Sequence, residues 1–145
     1  MSKIEELRKY LLEANIINKE ELYFISVSHY NENIYEINGN GMEFLVLTDE
    51  EADNTVVEEI EQSLWAFNTD FILEHSIFDY DDISRKIIKA IAGLYEDGNE
   101  AMKKIIDNFE VFVEEAIESD GRGHFISQYD GNEIETENYY IYRMD

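Results

Sequence analysis

The feature that most constrains the fold is a segment at residues 48–67 whose spacing predicts a helix with one apolar side. Its apolar residues recur every three or four positions and so share one helical face: Ala52, Val56, Ile60, Leu64 and Phe67. Thr48 and Glu51 have the spacing of a capping box, which begins a helix. A helix of this kind docks its apolar side onto other elements of a folded domain.

Carboxylates occupy much of the rest of this predicted helix. They are Asp49, Glu50, Asp53, Glu58, Glu59 and Glu61. Acids in the first turn also interact favourably with the helix dipole. One interpretation is the solvated face of a docked helix. The other is a row of negative charge that resembles a phosphate backbone, because carboxylates three or four residues apart are neighbours on a helix.

The charge of the whole chain narrows the class of partner. The 145 residues carry 34 acidic and 11 basic side chains, a formal net charge of −23. Between residues 20 and 84 there are 17 acids and no Lys or Arg. DNA, RNA and anionic membranes all require positive charge on the protein that binds them. We therefore expect no direct binding to nucleic acid or membrane, and we expect a basic protein surface as the partner.

The residue types that are missing exclude several classes of site. The chain has no cysteine, which excludes disulfide scaffolds and Cys-ligated metals and fits a reducing cytoplasm. No apolar run reaches the ~18–20 residues of a membrane span, and the N-terminus lacks a signal-peptide pattern. No pair of histidines has metal-binding spacing, and Asp79, Asp81 and Asp82 do not form an EF-hand loop. We expect no metal and no cofactor.

The remaining segments predict a single α+β domain over residues 1–145, with a small antiparallel sheet packed against several amphipathic helices. Predicted helices cover residues 2–15, 69–75, 83–96 and 99–119, and the last of these is either one helix or two helices separated at Asp107 and Asn108. Predicted strands cover residues 22–30, 34–37, 42–47 and 139–143. The Asn-Gly repeat at residues 38–41 predicts a hairpin turn. We expect the last strand to pair with the N-terminal meander. We also expect Ile87, Ile91 and Leu94 to face inward, Gly98 and Asn99 to act as helix caps, and residues 125–129 to be extended.

Only one local cluster suggests chemistry. Asp120, Arg122 and His124 lie within a Gly-rich loop, but the loop lacks the spacing of a phosphate-binding loop and follows a helix. We interpret its glycines as turn residues and Arg122 as a partner for nearby acids, and we assign no catalytic residue. Trp65 is either a core residue or an anchor for a protein partner, because tryptophan is enriched at binding hot spots.

Four stretches of the chain look familiar. They are FLVLTDEEAD at residues 44–53, SLWAFNTDFI at 63–72, DGRGHFISQYDGNE at 120–133 and YYIYR at 139–143. With them the chain resembles a broad group of small acidic bacteriophage and prophage proteins, mostly of unassigned function. The resemblance implies action inside a bacterial host cell, and small acidic phage proteins often counter host defence, some of them as DNA mimics.

Two binding hypotheses follow, and an enzyme is a third alternative. The first is an acidic inhibitor that places its carboxylates, with Trp65, in the nucleic-acid groove of a host defence enzyme such as a CRISPR effector or restriction enzyme. The carboxylates are those of the 48–67 helix together with Asp79, Asp81 and Asp82. The second is a phage accessory protein that binds another protein through an apolar patch, without catalysis.

Overall fold

The computed structural model describes residues 1–145 and is an α+β protein with seven α-helices and a five-stranded antiparallel sheet. This confirms the predicted fold class. The chain divides into two compact units, Met1–Thr55 with Arg122–Asp145, and Val56–Gly121. The single-domain organisation stays a prediction.

The helices and strands have the following bounds. The helices are α1 (Lys3–Glu13), α2 (Asp49–Gln62), α3 (Thr69–Glu74), α4 (Asp82–Ala92), α5 (Asn99–Ile105), α6 (Phe109–Asp120) and α7 (Arg122–Ile126). The strands are β1 (Ile25–Val27), β2 (Ile34–Ile37), β3 (Met42–Leu47), β4 (Ile134–Glu135) and β5 (Tyr140–Arg143). Short 3-10 turns lie at Glu21–Phe24, Leu64–Ala66 and Tyr95–Gly98.

The sheet of the first unit is a meander closed by the C-terminal strands. Its strand order is β1-β2-β3-β5-β4, and every neighbouring pair is antiparallel. Phe44 lies opposite Arg143 and Leu47 opposite Tyr140, which confirms that the last strand pairs with the meander. Gly39 and Gly41 have φ values of 98° and 74°, so the turn between β2 and β3 uses backbone that glycine adopts readily.

One face of the sheet forms the core of the first unit against α1. The buried residues of this cluster come from alternate positions of the strands and from the inner side of α1: Leu7, Leu11, Ile17, Ile25, Tyr35, Ile37, Phe44, Val46 and Ile141. The alternation is the period of two expected of strands with one face in the core. The other face also buries large residues, with Ile34 opposite Leu45 and Leu45 opposite Tyr142.

The second unit is helical. Its buried side chains come from each of its helices and include Val56, Ile60, Ile72, Leu73, Ile88, Met102, Phe112 and Val113. Phe112 lies at the centre of an aromatic group, with ring centroids 5.1 Å from both Phe67 and Phe71. Asn108 separates α5 from α6 because its side chain caps α6 by accepting a hydrogen bond from the Val111 N–H.

The predicted inward face of α4 is wrong. Ile87 is 42% exposed, and Leu94, which lies beyond the end of the helix at Ala92, is 56% exposed. Ile91 is half-buried, and Ile88 is buried. The helix has apolar residues on two adjacent sides, and the side that contains Ser84 and Ile88 faces inward. Periodicity alone does not choose between two apolar sides of one helix.

Two local predictions near glycines are also wrong. Residues 125 and 126 are not extended, because they belong to the five-residue helix α7. Gly98 is predicted as the C-cap of the helix before it, but that helix ends at Ala92, and Gly98 has a φ of −87° at the N-cap of α5. The Asn99 side chain does not cap α5. Its oxygen accepts a hydrogen bond from the Trp65 N–H at 2.9 Å, and its nitrogen donates to the Gln62 carbonyl at 2.7 Å.

Candidate functional site

The first turns of α2 hold three of the predicted partner-binding residues. The capping box is formed as predicted, with the Thr48 N–H donating to Glu51 Oε1 at 2.9 Å and the Glu51 N–H donating to Thr48 Oγ1 at 3.2 Å. Glu50 is exposed and has no cation within ion-pair distance. Asp49 and Asp53 are also largely exposed, but both accept from one Nη atom of Arg122 at 2.9 Å.

Arg122 is the centre of an ion cluster in the first unit. Its side chain is only 11% exposed, and its Nε donates to Glu133 Oε2 at 2.8 Å. The guanidinium also lies 4.5 Å above the ring of Tyr140. One cation therefore faces three carboxylates, of Asp49, Asp53 and Glu133, which leaves the cluster with a negative charge.

The environment of this cluster shifts the pKa values of Arg122 and of the neighbouring Tyr142 upward. Burial would lower the pKa of Arg122, but its hydrogen bonds to Glu133, Asp49 and Asp53 outweigh burial and raise it. Burial and a hydrogen bond to Glu133 raise the pKa of Tyr142 above its usual range. A permanently charged Arg and a protonated Tyr provide no group that titrates near pH 7, so the arrangement is suited to structural anchoring.

The Gly-rich stretch around Arg122 does not gather its three polar residues into one site. Asp120 and His124 are exposed, whereas Arg122 is buried in its ion pairs. A Cβ on Gly123 would lie 2.6 Å from the Gly131 carbonyl oxygen, so the glycine allows α7 to approach the backbone of residues 131–133. The expected pairing of Arg122 with acids is confirmed.

The carboxylates of α2 that belong to the second unit differ in environment. Glu58 is exposed. Glu59 is half-buried, and burial together with the charge of Glu58 raises its pKa. Glu61 accepts a hydrogen bond from Lys103 Nζ at 3.0 Å. Glu58 is thus the carboxylate of this group that is free to meet an external cation.

The three acids before and at the start of α4 also have distinct roles. Asp81 caps the helix by accepting from the Ser84 N–H at 2.8 Å, and this hydrogen bond lowers the pKa of Asp81. Asp82 lies 3.0 Å from Arg85 Nη1. Asp79 is exposed, and no cation lies within ion-pair distance of its carboxylate.

Trp65 lies in the 3-10 turn after α2 and is half-buried. Its ring packs edge-on against Tyr95, with centroids 5.3 Å apart, and its backbone N–H is held by Asn99. This fixed, partly open indole is compatible with both predicted roles, core residue and binding anchor. Whether it contacts a partner stays a prediction.

Sequence reasoning missed a second polar group in the first unit. Glu6 is buried and accepts hydrogen bonds from Thr136 Oγ1 at 2.6 Å and from the Asn138 N–H and Nδ2, both at 3.0 Å. It lines a cleft of about 270 Å³ together with acids of β4 and of the following turn. The partners of Glu6 are about 130 residues away in sequence, and no local signal points to them.

His75 in the second unit is a mostly buried polar side chain among aromatic rings. His75 packs against the rings of Phe71 and Phe112, with centroids 4.9 Å and 5.4 Å away. Its Nε2 lies 2.7 Å from Glu115 Oε2, although the imidazole is not oriented for a hydrogen bond to it. The pair stands alone, and no group of three or more His, Asp or Glu side chains is arranged as metal ligands are.

Comparison of the chain with protein-family models, curated proteins and solved structures finds no match. The resemblance to acidic phage proteins therefore stays a prediction. None of the helices combines the length and apolar character needed to cross a bilayer.

Proposed function

We propose that this protein is an acidic inhibitor that binds the basic nucleic-acid-binding surface of a host defence enzyme. It would act as a DNA mimic inside the cytoplasm of a bacterial host, against a CRISPR effector or a restriction enzyme. Its carboxylates would take the place of phosphates on the cations of the enzyme. The charge of −23, with no base between residues 20 and 84, is the observation that carries the proposal.

The structure supports this proposal because the chain leaves most of its negative charge unneutralised. Only eight of the 34 acidic side chains lie within 4.0 Å of a Lys or Arg nitrogen. Exposed ion pairs contribute little to folding, and a large net charge destabilises the compact state through repulsion. A basic partner that neutralises the free carboxylates would gain electrostatic energy that the fold does not use.

The proposed contact residues fall into two groups by their environment. Glu50, Glu58 and Asp79 are exposed and lack a cation, so they are the first choice for contacts with Lys or Arg of the enzyme. The others are partly engaged within the chain and would contribute by charge or, for Trp65, by apolar contact: Asp49, Asp53, Glu59, Glu61, Trp65, Asp81 and Asp82.

The test starts from immobilised protein in a bacterial lysate, eluted first with duplex DNA and then with salt. The proposal expects DNA to release a nucleic-acid enzyme whose activity the purified protein inhibits. Glu50→Gln with Glu58→Gln should weaken that complex at least about tenfold, because each lost ionic contact is worth on the order of 1 kcal/mol.

The matched control removes the same charge from exposed positions of α6, with Glu114→Gln and Glu118→Gln. This variant should bind within about twofold of the unmodified protein, a difference well below 1 kcal/mol. Equal binding by both variants, or a captured enzyme that DNA does not displace, would contradict the proposal.

A second candidate function is favoured by the exposed apolar side of α4. Under it, the protein is a phage accessory protein that binds another protein through an apolar patch, without imitating DNA. Ile83 is 72% exposed on this side of the helix, close to other exposed apolar side chains. A contiguous apolar patch on the surface often marks a site of protein–protein interaction. A captured partner that is eluted neither by duplex DNA nor by salt would support this candidate.

A further inference from the structure

Strand β1 forms an open edge of the sheet, because it pairs with β2 on one side only. On that side the Ser28 N–H donates to the Ile34 carbonyl at 2.8 Å. The Asn38 N–H likewise donates to the Phe24 carbonyl at 2.8 Å. Residues of an antiparallel pair alternate between those bonded to the neighbouring strand and those that are not. Val27 therefore directs its N–H and C=O away from β2, toward the open edge.

Two common protections of an edge strand are absent at β1. Natural sheets often protect an open edge with Lys or with Pro. The chain contains no Pro, and no Lys or Arg lies between residues 20 and 84. Tyr23 and Phe24 just before the strand, and Val27 within it, are exposed apolar side chains instead. An open edge of this kind is a template for pairing with another extended chain.

The charge around the edge limits which extended chain can bind there. Glu20 and Glu32 are exposed and lie in the segments that lead into and out of β1. Glu36 on β2 and Glu43 on β3 lie directly opposite each other. None of these four carboxylates has a Lys, Arg or His nitrogen within ion-pair distance. The base nearest to β1 in sequence is Lys19, so the surroundings of the edge are negative.

The pair formed by Glu36 and Glu43 works against the stability of the sheet. Like charges directly opposite each other on neighbouring strands are destabilising. Both side chains are half-buried, and Glu43 accepts a hydrogen bond from the Tyr30 hydroxyl at 3.2 Å. Ser26 on β1 lies opposite Glu36, so the face that carries the two carboxylates continues to the open edge. A cation supplied at this edge would replace repulsion by attraction.

We propose that the β1 edge binds a short extended segment of a basic protein as an additional antiparallel strand. The residue of that segment opposite Val27 exchanges two backbone hydrogen bonds with it and places an apolar side chain beside it. The next residues point to the other face of the sheet, where Lys or Arg meets Glu36. A second copy of this chain fits less well, because it would bring the same unpaired carboxylates to the interface.

The probe is a capped seven-residue peptide of alternating Lys and Val, with Lys at both ends. Isothermal titration calorimetry should show one peptide bound per chain, and a peptide of alternating Glu and Val should not bind. No enzyme takes part, so the result does not depend on the proposed function. N-methylation of the Val residues removes the donors that face β1 and should weaken binding at least about tenfold. N-methylation of the Lys residues, whose N–H groups face solvent, should change it less than about threefold.

Val27→Pro tests the backbone contact from the side of the protein. Its missing N–H faces the open edge, a position at which proline is tolerated in a sheet, so the fold should persist, as circular dichroism checks. This variant should not bind the Lys/Val peptide. Val27→Thr keeps the N–H and is the matched control, which should bind like the unmodified chain.

Glu36→Gln with Glu43→Gln tests the charge. The change should weaken peptide binding at least about threefold, while the midpoint of urea denaturation stays the same or rises because the repulsion is removed. Glu5→Gln with Glu13→Gln removes the same charge from exposed positions of α1 and should bind within about twofold of the unmodified chain.

Absence of peptide binding would overturn the proposal. So would unchanged binding of the Val-methylated peptide or of the Val27→Pro variant, because either result would mean attraction by charge alone. Sedimentation of the chain without peptide tests the other occupant of the edge. Dimers that Val27→Pro abolishes would assign the edge to a second copy and overturn the proposal as well.

Discussion

Arg122 is the residue on which the first unit should depend most. It is a nearly buried cation that binds Asp49, Asp53 and Glu133, residues brought together from α2 and the C-terminal segment. Removing one partner of a buried ion pair typically destabilises a protein by about 3–5 kcal/mol. Because Asp49 and Asp53 are well solvated, we expect Arg122→Met to lower the free energy of unfolding by about 2–3 kcal/mol, measured by urea denaturation.

Arg85→Met is the matched control for this prediction. Arg85 also binds two carboxylates, those of Asp70 and Asp82, but both acids are more than half exposed. Exposed ion pairs contribute little to stability because water screens them, so this substitution should destabilise the protein much less than Arg122→Met does. Equal losses for the two variants would show that the Arg122 cluster is not a structural anchor.

Glu6 should make the stability of the chain depend on acidity. Burial acts to raise its pKa, but hydrogen bonds from Thr136 and Asn138 outweigh burial and hold the pKa below its usual value. A carboxyl with a lowered pKa in the folded state stabilises above its unfolded pKa of about 4.3, and this contribution is lost as pH falls through the folded pKa.

Glu6→Gln should therefore be less stable than the unmodified chain at neutral pH, and the difference should shrink as pH falls below about 4.3. Urea denaturation over a pH series measures it. Glu5→Gln removes the same charge from an exposed neighbour and is the control for the loss of one negative charge. A constant difference for Glu6→Gln at all pH values would contradict the assigned hydrogen bonds.

The residues of the candidate site could be predicted only in part from the sequence. The cap formed by Thr48 and Glu51 is local, and its spacing predicts the observed hydrogen bonds. The carboxylates that Arg122 binds on α2 are 69 and 73 residues away in sequence, so the sequence indicates an acid partner without choosing one. Contacts between residues far apart in sequence therefore determine which acids remain free to bind a partner.

Among the elements, α7 depends on close contact between backbones. Gly123 lies where a Cβ would meet the backbone of Gly131 and Asn132 at 2.6 Å. Backbone atoms cannot rotate away as a side chain can, so overpacking here should cost at least the usual ~1–3 kcal/mol. We expect Gly123→Ala to lower the midpoint of urea denaturation accordingly.

Gly93→Ala provides the comparison at the end of α4. Gly93 has a helical φ of −66°, and a Cβ would meet its nearest neighbour at 3.3 Å. The free energy of unfolding of the Gly93→Ala variant should differ from that of the unmodified chain by less than about 1 kcal/mol, because alanine fits that backbone conformation. If Gly123→Ala were equally mild, the close approach of α7 to residues 131–133 would not be a requirement of the fold.

Elements with a single strong pattern were predictable, and elements with competing patterns were not. The strands Ile34–Ile37 and Met42–Leu47 have the predicted bounds, because turn residues delimit the first on both sides and a turn and the helix cap at Thr48 delimit the second. The inner side of α4 was not predictable, since two of its sides carry apolar residues. The helix α7 is too short, at five residues, to show a helical period.

At the scale of the whole molecule, charge and apolar surface make opposite predictions about association. The carboxylates favour a basic partner and a complex that salt weakens. The exposed apolar residues of α4, such as Ile83 and Ile87, favour an apolar partner and a complex that salt does not weaken. Salt dependence therefore distinguishes binding through the carboxylates from binding through α4. Either prediction can be contradicted without affecting the other.

The central claim is that the unneutralised carboxylates carry the binding to a basic enzyme. The most direct measurement is the affinity for the captured enzyme at a series of salt concentrations, by surface plasmon resonance. We expect the Kd to rise at least about tenfold between about 0.1 M and 0.5 M salt, and we expect duplex DNA to compete for the same surface. A Kd that is independent of salt, with no competition from DNA, would contradict it.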